Sequence, residues 1–177
     1  ANVEGLELTA APVVVAETPA QTPKRAPLPL FAAMPTDDFD QDDEIREIFI
    51  EEVEEVLETI HEYFPKWAAN YENKAALTEF RRGFHTLKGS GRMVGARVVG
   101  ELAWSIENML NRVIDQTARA TPVMCRLIES VIQEVPGLVG NFRDKELPAI
   151  HTVPLMEVAD QFAKGLSPTQ EDVEQAV

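Results

Sequence analysis

One short stretch concentrates the residues that could do chemistry: GFHTLKGSGRMVG, residues 83–95. It holds a histidine, His85, a lysine three positions later, Lys88, and four glycines. Residues three and four apart share a helix face. His85 therefore shares its surroundings with Thr78, Arg81, Arg82, Lys88, Gly89 and Arg92, none of them large and apolar. An interior glycine costs a helix about 1 kcal/mol relative to alanine. Gly89 clears side-chain bulk from beside the imidazole, and Ser90 and Gly91 keep the next positions small, so a flat partner surface can reach the ring. Gly95 suits the turn that leaves the helix, where positive φ is useful, and Gly83 suits close helix packing. A free imidazole has a pKa of about 6.5 and is a usable nucleophile near neutral pH. The cations around it favour an anion placed on it. A phosphoryl group fits, because its transfer is mostly positioning plus charge stabilisation.

The elements that must position this stretch read as helices. The acidic cluster Asp40, Asp42, Asp43 and Glu44 suits a helix N-terminus. Ile45, Phe49, Val53, Val56 and Ile60 then form a stripe at spacings of three and four, ending near Pro65. A second helix is expected over 74–92, with Leu77, Phe80, Phe84 and Leu87 inward. A third is expected over 96–115, with Val99, Leu102, Ile106, Met109 or Leu110, and Val113 inward. The fourth opens at the capping pair Thr121-Pro122, and Pro136-Gly137 should end or kink it. A shorter fifth is expected over 154–164. No period-two alternation or Asn-Gly hairpin turn marks a strand. The expected fold is all-α: an antiparallel four-helix bundle over 41–165 with a short additional C-terminal helix. A Pro- and Ala-rich disordered linker is expected over 1–40 and a tail over 166–177.

The 177 residues suit one domain with tails, and 45% hydrophobic residues allow a real core. A net charge of −14 repels nucleic acid, so no nucleic-acid partner is expected. No apolar run approaches the roughly 18 residues of a membrane span, and no signal peptide is visible. The first residue is Ala, so a segment of a longer protein is expected, and a processed terminus would look the same. The lone Cys125 permits no internal disulfide, reads as a buried thiol and fits a cytoplasmic location. His61 and His151 lack a setting like that of His85, and no Cys or His cluster has metal-ligand spacing. No Gly-rich nucleotide loop joins a strand to a helix, and no Ser or Asp completes a triad with His85.

The string His85-Thr86-Leu87-Lys88-Gly89-Ser90 resembles the His-x-x-Lys-Gly motif of histidine phosphotransfer (HPt) domains. The downstream ELAWSIENMLNRV resembles the third helix of the HPt domain at the head of CheA-type chemotaxis kinases, and the match covers about residues 42–142. A finer likeness is to the HPt modules of hybrid kinases that control type IV pili and twitching motility. The resemblance implies that His85 accepts a phosphoryl group on Nε2, that Lys88 stabilises its oxygens, and that Gly89 leaves room for the partner. It also implies that Glu107 hydrogen-bonds the other ring nitrogen and fixes the tautomer. Trp104 departs from the pattern, since many CheA-type domains have a second histidine there; it reads equally as a docking surface or lid and as packing at the bundle edge.

The expected function is a phosphorelay carrier, loaded on His85 by a kinase domain or a receiver aspartate and discharged to a response-regulator aspartate. No cofactor is expected on this segment; ATP and Mg²⁺ belong to partner domains. Lys88→Ala should slow transfer without unfolding, since it removes an exposed charge. The alternative is a helical scaffold that docks through Trp104 and the glycine-rich face, with His85 incidental. A third is a small-molecule sensor bundle, which needs a cavity.

Overall fold

The computed structural model describes residues 34–177, so most of the expected linker lies outside the described residues. Among those described there are six helices and no strand. They are α1 (Asp43–Ala69), α2 (Lys74–Val94), α3 (Arg97–Ile114), α4 (Pro122–Arg143), α5 (Val153–Ala163) and α6 (Gln170–Ala176). Their starts follow local chemistry. The side chains of Asp42, Asn73 and Thr121 accept from backbone N–H groups of the first turns of α1, α2 and α4. Gly95 ends α2 with φ +85°, the left-handed turn that glycine adopts without strain.

Helices α1 and α2 run antiparallel, with Phe64 against Phe80 and Ile60 against Gly83. α2 and α3 are also antiparallel: Arg92 meets Glu101, and Arg81 meets Asn111. α4 lies against α1, where Phe49 meets Phe142 edge-on at 5.8 Å. α5 packs on α3, and the shared core gathers the apolar stripes of all these helices.

Several boundaries differ from the sequence reading. α1 does not end at Pro65 but continues for another turn. The missing N–H and ring clash at Pro65 cost about 3 kcal/mol. The next turn buries Trp67, which packs 5.3 Å from Phe80 with Phe64 alongside, and a buried aromatic offsets about that much. Ile45, placed inward by periodicity, is 41% exposed; the buried position in that turn belongs to Arg46. Its guanidinium reaches Asp43 and the Phe39 carbonyl and lies over Phe142. α4 passes through Pro136-Gly137 without a break, both exposed, because Val135, Leu138 and Val139 keep its buried face continuous.

Residues 34–40, expected within the linker, lie against the bundle. The Asp37 carboxylate accepts from Val98 N–H at 2.9 Å, and Asp38 N–H donates to the Gly95 carbonyl at 2.8 Å. Ala96, the residue before α3, has no capping side chain, so Asp37 supplies the acceptor. The expected tail carries α6, opened by a reciprocal cap between Thr169 and Asp172 and held by buried Val173 and Ala176.

Candidate functional site

The packing of α2 on α3 sets the site. A Cβ at Gly91 would lie 3.0 Å from the Ala96 carbonyl oxygen and 3.2 Å from Gly100 Cα. Only two glycines let the backbones come that close. Gly91, which the sequence reading placed on an open surface, is therefore buried between helices. Gly83 does serve close packing, since a Cβ there would meet Ile60 Cγ1 at 2.7 Å.

That approach lets α2 side chains cross to Glu107 on α3. Glu107 Oε2 stands 2.7 Å from His85 Nδ1, and Oε1 stands 2.8 Å from Lys88 Nζ. Arg81 approaches Oε2 at 3.7 Å and donates to Asn111 Oδ1 at 3.4 Å. The Glu107 side chain is only 7% exposed, whereas that of His85 is 57% exposed. Burial pushes the Glu107 pKa up, but hydrogen bonding and charge from Lys88 and His85 outweigh it and hold the carboxyl below its ordinary value. An ionised carboxylate can only accept, so Nδ1–H donates to it. In the neutral ring the lone pair then sits on Nε2, the nitrogen that Glu107 does not engage.

The sequence-selected residues divide into two sets. His85, Lys88, Glu107 and Arg81 come together. Lys88 is not the exposed charge expected of it: its side chain is 18% exposed and turned onto Glu107, because a buried carboxylate needs a cation. Arg82 pairs instead with Glu79 at 3.2 Å, and Arg92 makes two hydrogen bonds to Glu101 at 2.7 and 3.1 Å. Around His85 this leaves two positive charges, Lys88 and Arg81, against the one of Glu107.

Gly89 is open, with nothing within 4 Å of a Cβ built there, and Ser90 beside it is half-buried. Trp104 is 41% exposed and borders a groove against α5. Sequence reasoning missed Asn111, one turn beyond Glu107, and Met93, one turn beyond Gly89 and 82% exposed. Asn111 had a signal in its spacing of four from Glu107. Met93 had none.

Cys125 is half-buried rather than fully enclosed, and burial raises its pKa. Tyr71 Oη lies 3.7 Å from its Sγ. No group of three His, Cys, Asp or Glu among the described residues is arranged to hold a metal ion, and no described helix is long and apolar enough to cross a membrane.

The family model of the Hpt domain matches residues 44–138. A solved structure, the phosphorylated P1 domain of CheA3 in complex with CheY6 from R. sphaeroides, is similar in fold. Its TM-score is 0.61 at 18% identity, covering 69% of this chain and 97% of that one. No curated protein matches the sequence.

Proposed function

The chain belongs to the Hpt domain family, phosphotransfer carriers of two-component signalling, and from that premise we propose that His85 is the residue that carries the phosphoryl group. The observation that supports this most directly is the Glu107 carboxylate 2.7 Å from Nδ1 of an exposed ring. That contact retains the Nδ1 proton and leaves the Nε2 lone pair free to attack phosphorus.

In loading, a bond forms between Nε2 and phosphorus. The bond from phosphorus to the donor oxygen breaks, and its electron pair leaves with the donor, ADP on a kinase domain or a receiver aspartate. In discharge, a carboxylate oxygen of a receiver aspartate attacks phosphorus, and the N–P electron pair returns to Nε2. The Nδ1 proton stays shared with Glu107 throughout. Lys88 and Arg81 supply the surplus positive charge that favours the phosphoryl oxygens. The open surface at Gly89 gives the partner its approach.

The donor is a CheA-type ATP-binding domain or a receiver aspartate, with ATP and Mg²⁺ held on partner domains. The acceptors are receiver domains, and the output belongs to chemotaxis-type control, with twitching motility driven by type IV pili as its specific form. The protein works in the cytoplasm. The P1 domain of CheA3, solved with CheY6, lends this partner class support through its shared fold.

The test is labelling by a CheA-type kinase domain with radioactive ATP. The wild type should take an acid-labile, base-stable label, and His85→Gln should take none at unchanged helical circular dichroism. A label that survives in His85→Gln rules out the assignment.

A further inference from the structure

Trp104 is the one large aromatic on the outward stripe of α3, in a series with Glu101, Asn108 and Asn111. Two members of that stripe are tied to α2 beside His85: Glu101 holds Arg92, and Asn111 accepts from Arg81. The outward surface of α3 is thus continuous with the surface that presents His85. On its far side, Trp104 borders a groove of about 210 Å³ together with Asn108, Val153, Met156 and Glu157. The groove is apolar at its base. Among the described residues Glu157, half-buried at its edge, has no cation within ion-pair distance, though it feels the charge of Lys164 at the end of α5, and the Asn108 side chain makes no hydrogen bond there.

We propose that this α3–α5 groove is the anchor site for the receiver domain that exchanges phosphoryl with His85, taking an apolar receiver side chain against Trp104 and Met156, with a neighbouring Lys or Arg directed to Glu157. The proposal rests on the reading of His85 as the phosphoryl carrier. Size supports this occupant. Trp104 precedes Glu107 by three residues, about 4.5 Å along the axis. Adjacent helix axes lie about 8–10 Å apart, so Trp104 sits within about 12 Å of His85. A specific protein interface covers about 800 Å² on each partner, a disc of about 16 Å radius. A receiver that brings its aspartate to Nε2 therefore covers Trp104 as well. Charge argues against a second copy in the groove, because two chains of net charge −14 would bring acidic rims together. Exposed tryptophan is also the side chain most enriched among residues that dominate binding.

The test uses the chain phosphorylated by a CheA-type kinase domain and a panel of CheY-type receivers. For the receivers that accept phosphoryl, Trp104→Ala should raise KM roughly thirtyfold while the maximal rate stays within about twofold. Trp104→Phe should retain most of the affinity. Receiver binding should also shift the wild-type tryptophan emission to the blue, and Trp104→Phe should abolish the shift, since Trp67 is already buried. An unchanged KM in Trp104→Ala overturns the proposal. So does wild-type self-association that this substitution abolishes, which would assign the groove to a second copy. A wild type that takes no phosphoryl on His85 fails earlier and removes the proposed function itself.

Discussion

Three glycines of α2 should respond to alanine with different signs. Gly89 lies in the helix interior with nothing within 4 Å of an added Cβ. Gly89→Ala should gain the helix-propensity difference of about 1 kcal/mol, raising Tm by about 3 °C for a domain of this size. Gly91→Ala gains the same propensity but drives a Cβ into α3 backbone at 3.0–3.3 Å. Backbone cannot rotate aside as a side chain can, and overpacking of this kind costs about 1–3 kcal/mol. The net should be a loss of about 0–2 kcal/mol. Gly83→Ala meets Ile60, a fully buried side chain, at 2.7 Å and should lose a similar amount. Urea unfolding followed by circular dichroism measures all three. The function arm runs the other way for Gly89. Its alanine variant should be the most stable of the series yet transfer phosphoryl to a receiver more slowly, because the new methyl stands where the partner approaches. Equal stabilities for Gly89→Ala and Gly91→Ala would refute the close-packing account, and a destabilised Gly89→Ala would refute the open-surface account.

Two further outcomes follow from Glu107. Lys88→Met keeps the aliphatic stem but leaves the buried carboxylate only His85 and, at 3.7 Å, Arg81. It should cost about 1–3 kcal/mol, measured by urea unfolding; a loss below the error of that measurement would show that the lysine contributes nothing to the fold. The Glu107 pKa is below its ordinary value of 4.5 in the folded chain. Its contribution is therefore full above about pH 4.5 and is lost as pH falls through the folded value. The stability gap between wild type and Glu107→Gln should shrink between pH 7 and pH 3, and a gap that does not change with pH would contradict the ionised, cation-held carboxylate.

The helices and the chemistry of α2 were legible in the sequence because both are local. Apolar spacing around Phe80, Phe84 and Leu87 marks a buried stripe, and His85, Lys88 and Gly89 fall together within one turn. Gly95 announced its own left-handed turn, since only backbone geometry within a few residues was at stake. Tertiary packing decided the rest. Pro65 stays helical because Trp67 finds Phe80 on another helix, and Arg46 rather than Ile45 is buried because Phe142 and the Phe39 carbonyl meet it. Asp37 caps a helix 61 residues away, and α6 forms where its Val173 and Ala176 can be covered. The family resemblance, not spacing, pointed to Glu107, and only the contact of Gly91 with Gly100 draws α3 close enough for the carboxylate to take His85 and turn Lys88 inward. Periodicity states which face of a helix is buried. It does not state which atoms of another helix will be there, because that depends on contacts between residues far apart in the chain, formed only when the whole core closes.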